Sequence, residues 1–153
     1  MNMSICAASS VTTAATTALS AALARTAEQV QVLELLCADR PASDPDLLAD
    51  RLEETCVELS GDLTEARERL HHGGWSGLVA VDGLLRRCER RLSAAAGAAP
   101  RIALARMVAR RGGEWPTWLG ATVPALDDLA TRLADAGDAL HDALAAGHPP
   151  DPT

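Results

Sequence analysis

The chain has 153 residues, 48% of them hydrophobic and 23% charged, with a net charge of −7 and a pI near 5.0. Phe, Tyr and Lys are absent and only three Trp occur, so the core must be aliphatic and every basic side chain is an arginine. This excludes a sheet protein built from aromatic and β-branched strands, and it favours helices, since Ala is the strongest helix former. The length suits one domain, and no stretch approaches the roughly 20 apolar residues that span a bilayer.

In chain order, residues 1–10 read as a frayed N-terminus. The N-terminal stretch carries Ala22-Leu23-Ala24 before Arg25, as a cleaved signal would, but has no basic leader or strongly apolar stretch. It reads as an amphipathic first helix of a cytoplasmic protein. Leu19, Leu23, Thr26, Val30, Leu33 and Cys37 recur at alternating intervals of 4 and 3. Asp44-Pro45 is an N-cap followed by proline at the first helical position, opening a second helix to about residue 71. Its seam is Ala49, Leu52, Cys56, Leu59, Leu63, Ala66 and Leu70.

Gly73-Gly74 ends that helix, and Ser76 caps a third with the seam Leu78, Val81, Leu85, Cys88, Leu92 and Ala95. Pro100 starts a short helix that stops at Gly112-Gly113. A last helix over about 116–146 holds Leu119, Val123, Leu126, Leu129, Leu133, Leu140 and Leu144 on one face, with a kink or a fresh start at Pro124. Residues 147–153 read as a disordered tail. The 3,4 spacing predicts an all-α fold, an antiparallel bundle of four long helices plus one short helix forming a single domain over 11–146.

The turn "HHGGWSG" raises a metal question, which spacing answers. His71 and His72 are adjacent and diverge by about 100° on a helix, so they cannot easily share an ion. The stretch reads as the turn of an α-hairpin, with Trp75 folded over its end. A W-x-G turn between two heptad helices resembles the WXG-motif family of small helical hairpins exported by type VII secretion. Trp75-Ser76-Gly77 matches the motif, and residues 45–97 would cover the hairpin. The resemblance implies export, but the family's C-terminal Tyr-x-x-x-acid signal has no counterpart in a chain without tyrosine.

Charge is partitioned along the sequence. Residues 28–72 hold twelve acids against four arginines, and residues 73–113 hold eight arginines against two acids. Asp46, Asp50, Glu54, Glu58 and Asp62 form an i,i+4 ladder in which each like-charge pair costs about 0.2–0.5 kcal/mol unless something offsets it. Arg86, Arg87, Arg90 and Arg91 lie outside the third seam, and Arg101, Arg106, Arg110 and Arg111 follow on the short helix. The two rows can pair within the bundle, meet across an oligomer interface, or remain solvated. Nucleic acid is disfavoured by the low pI, the missing lysines and the absence of stacking aromatics among the arginines.

No nucleophile–base pair, phosphate loop or repeated Glu-x-x-His motif is present; the lone Glu68–His71 spacing cannot build a di-iron site. Asp138 and His141 read as a surface pair. Cys37, Cys56 and Cys88 occupy seam positions as small buried hydrophobes; converging in one layer they would instead suit a soft cation. Trp115 and Trp118 either seal one end of the bundle or form an exposed anchor for a partner. Together these features predict a non-enzymatic protein without cofactor or metal, working through a protein partner or as a homo-oligomer. The interaction candidates are Trp115, Trp118, Asp50, Glu54, Glu58, Arg86, Arg87, Arg90 and Arg91.

Overall fold

The computed structural model describes residues 3–38, 47–97 and 117–147, with side chains over 13–38, 50–97 and 120–147. Its four helices are α1 (Met3–Ala38), α2 (Leu47–His72), α3 (Gly74–Ala96) and α4 (Thr117–Gly147). They close a ring in which α1 packs on α2, α2 on α3, α3 on α4 and α4 on α1. Among the described residues there is no strand, and no helix is long and apolar enough to cross a membrane. The short helix expected over 100–113, the Asp44-Pro45 cap and the tail beyond Gly147 lie outside the described residues. The α1 backbone is helical from Met3, within the segment expected to fray.

The core follows the 3,4 seams. All six α1 positions are buried, as are Leu52, Cys56, Leu59, Leu63 and Ala66 of α2 and the full α3 set. From α4 come Leu126, Leu129, Leu133 and Leu140, with Ala136 between them and Ala143 beyond. Alanines at these positions let helix backbones approach closely while the leucines fill the space between. Thr26 is fully buried without an orphaned hydroxyl. It donates to the Ala22 carbonyl at 2.8 Å, with the Arg132 carbonyl of α4 a longer acceptor at 3.3 Å.

One expectation about local structure needs correction. Ser76 does not cap α3: the helix starts at Gly74, Gly73 holds the N-cap position, and no side chain caps it. Gly74 adopts φ +53°, a left-handed conformation open to glycine at little cost, so the chain reverses and re-enters helix after a single residue. Ser76 therefore falls inside the first turn and is exposed. Of the two alternatives at Pro124, the fresh start does not occur, since α4 runs through it. Proline withholds the amide that would bond the Gly120 carbonyl, and both residues are exposed, so water can supply the missing donor.

Gly77 fixes how tightly the hairpin closes. A methyl group there would collide with the Arg69 carbonyl oxygen, while the Gly77 amide donates to the Gly73 carbonyl at 2.8 Å. With residue 77 against 69, the next meetings are Arg87 with Asp62 and Arg91 with Glu58. Numbers rise along α3 as they fall along α2. That register places the two charge rows opposite each other.

Candidate functional site

A row at i,i+4 spacing turns about 40° around the helix at each step, because four residues overshoot one turn. The acidic ladder therefore does not keep one face. Its C-terminal members, Glu58 and Asp62, swing toward α3, and Arg91 bridges them. Arg91 Nε donates to Glu58 Oε2 at 2.9 Å, and its Nη1 reaches Asp62 Oδ2. Arg87 Nη2 approaches the other Asp62 oxygen at 3.9 Å. Asp62 is the most enclosed of the four, its side chain 13% exposed, so solvent screens this contact less than a surface pair.

Asp46 lies outside the described residues. Glu54 is exposed with no ion pair among the described residues, and Asp50 is exposed. On α3, Arg86 bonds back to Asp82 at 3.1 Å within its own helix, while Arg90 is exposed and makes no ion pair among the described residues. The two rows thus pair in part, inside one chain. Asp62, on the ladder but not among the interaction candidates, meets two arginines where Glu58 meets one, and only the hairpin register could have revealed that.

Two open surfaces flank this network. Val57, 63% exposed, stands among Asp50, Glu53, Glu54 and Glu58 in a shallow groove of 670 Å³ that Arg51 also lines. Between α2 and α3, Ala80, Gly83 and Leu84 line a cleft of 480 Å³ edged by Arg69, Arg87 and Arg90. Glu65 shares that edge and approaches Arg69 at 3.8 Å, leaving the cleft with a cationic excess. Val79 is 53% exposed on the outer face of α3. A third groove between α1 and α2 is lined by Thr16, Ser20, Arg67 and His71.

Trp75 is not a tight plug. It keeps 38% of its surface accessible, because the immediate restart of α3 places it on the first helical turn rather than across the hairpin end. Trp115 lies outside the described residues; Trp118 belongs to the α4 backbone, its side chain outside them. Asp138 and His141 are both exposed but form no ion pair, correcting the expected surface pair.

Cys37, Cys56 and Cys88 are buried and form no disulfide with one another, and they do not share one layer. Cys37 and Cys56 share a hydrogen bond across α1 and α2, which together with burial raises the Cys56 thiol far above its ordinary range. Cys88 sits instead beside Asp62; burial first, and then that carboxylate, push its thiol up to about 12. Among the described residues no three His, Cys, Asp or Glu side chains gather as a metal site would require. Compared with known proteins, the chain matches no family model, no curated relative and no solved structure.

Proposed function

We propose that the chain is a non-catalytic interaction protein, a small adaptor or accessory subunit of the cytoplasm that works through protein–protein contacts. In this reading the bundle is antiparallel throughout, with a short further helix between α3 and α4. The observation that carries it is the half-used charge system of α2 and α3. Arg91 and Arg87 occupy Glu58 and Asp62, while Glu54 remains exposed beside Val57 and Arg90 at the edge of the neighbouring cleft. An exposed aliphatic side chain among charged groups suits a surface that recognises another protein, since charge sets orientation and apolar area supplies affinity.

The test is capture by the tagged full chain at physiological salt, with Arg90→Glu and Val57→Asp as controls. A specific partner lost with either variant is the expected result. A protein that captures nothing and remains a monomer at all concentrations sinks the reading.

A second reading is favoured by one specific geometry. Trp75-Ser76-Gly77 lies at the junction of two long helices, and its glycine is required by the close approach of Arg69. That is the placement a WXG-like hairpin needs. Its test is direct: export predicts accumulation in culture medium, abolished by Trp75→Ala without loss of folded protein in the cell.

A further inference from the structure

The two open surfaces on the α2–α3 side complement each other in charge. One presents the exposed Val57 side chain among carboxylates; the other is a cleft with a small-residue lining and guanidinium edges. They cannot meet within one chain. Val57 and Arg69 lie on the same continuous helix, twelve residues and about 18 Å apart. We infer that this face pairs with a second copy of the chain: Val57 of one copy enters the Arg69–Arg87–Arg90 cleft of the other, with Glu54 against Arg90. The inference rests on the interaction reading above and names its partner.

Several features support the fit. Arg90 and Glu54 are the uncommitted members of their rows, so pairing them between copies breaks no ion pair inside either chain. Gly83 leaves the cleft open, since a methyl group placed there would meet no other part of its chain within 4 Å. The carboxylate patch draws on the N-terminal half of α2, and the cleft draws on its C-terminal half. A two-fold axis across the middle of the helix, near Asp62, therefore makes both contacts at once and closes the assembly as a dimer. The 26 residues of α2 extend about 39 Å, long enough for the roughly 800 Å² per partner of a stable interface.

Sedimentation of the full chain tests this. The wild type should be a dimer at low salt and dissociate progressively toward about 0.5 M NaCl, where screening confines charge attraction to a few ångströms. Arg90→Glu and Glu54→Arg should each weaken the dimer by at least about tenfold through like-charge contacts. Mixed together, these two variants should form a heterodimer, because every inverted charge then faces its complement. Gly83→Leu fills the cleft without straining its own chain, and should give a monomer that melts no lower than the wild type.

A monomeric wild type at low salt overturns the inference. So does a Gly83→Leu dimer as tight as wild type, or a variant mixture that stays monomeric. A monomeric wild type that still captures another protein, and loses it with Val57→Asp, removes self-pairing alone and leaves the interaction reading standing.

Discussion

Across the α2–α3 seam four charged side chains meet, whereas α1 and α4 come together through alanines, leucines and the hydroxyl of Thr26. Both seams carry the same 3,4 spacing, and leucines dominate both. They differ in what sets the register. Along α1–α4 the fit of small and large side chains determines it, a short-range effect that salt leaves alone. Along α2–α3 the single-residue turn determines it first, and the Arg91–Asp62–Glu58 network reinforces it. A region held by apolar shape tolerates changes of charge; a region held by a glycine and an enclosed carboxylate does not.

The largest contrast should come from two glycines. Gly77→Ala drives a methyl group into the Arg69 carbonyl and should cost about 3 kcal/mol, because neither backbone can yield without opening the hairpin. Gly137→Ala in α4 meets only Glu89 Oε1 at 3.7 Å, an ordinary contact. It should stabilise by about 0.5–1 kcal/mol through helix propensity. Denaturant melts of both variants measure the difference, and equal effects would end the contrast between the regions.

Next in size is the pair of polar contacts. Asp62→Ala leaves Arg91 and Arg87 without their shared acceptor and should cost about 2 kcal/mol, an amount that shrinks in high salt. Thr26→Val keeps the volume, and the Ala22 and Arg132 carbonyls lie within helices that can supply their own donors. Its cost should stay below about 1 kcal/mol and ignore salt. Chemical denaturation with urea at two salt concentrations separates the two.

Alkaline pH should strike the same side of the ring. The Cys56 and Cys88 thiols are raised above their ordinary value of 9.0, so the folded state holds protons that the unfolded state releases first. Their contribution is complete below pH 9 and is lost as pH climbs toward 12, by up to about 1.4 kcal/mol per pH unit for each thiol. Cys88→Ala should flatten the alkaline slope of the stability curve even as its small cavity lowers the plateau. An unchanged slope would mean that the thiol is not held protonated.

The seams were legible in the sequence because burial imposes a period, and Leu52 to Ala66 or Leu78 to Ala95 can hide only by facing one way. Gly73-Gly74 announced the hairpin for a similar reason, since two glycines in a row stop a helix. The true start of α3 was not legible: a positive φ at Gly74 is a property of the closed turn, and Ser76 looked like an equally good cap. The charge partners were hidden for another reason. Glu54 and Asp62 appear equivalent on a ladder, yet two steps of about 40° turn one to solvent and the other into the α3 interface. Which arginine each could meet depended on the register that Gly77 imposes.

The smallest effect concerns that same ladder. Were the ladder as a whole matched by arginines, Glu54→Gln would destabilise. The structure reverses the sign for a single chain. Glu54 is exposed, makes no ion pair among the described residues, and has Asp50 and Glu58 at i−4 and i+4. Removing its charge relieves two like-charge neighbours at about 0.2–0.5 kcal/mol each, so the monomer should melt slightly higher, and the gain should fade with added salt. Glu58→Gln should do the opposite, because its charge meets Arg91 at 2.9 Å. At concentrations where two copies pair, the Glu54→Gln gain should give way to a loss, since the carboxylate then faces Arg90 of the other copy. Melting the variant across a dilution series reads both regimes. A gain that persists unchanged to the highest concentration would show that Glu54 never acquires a partner.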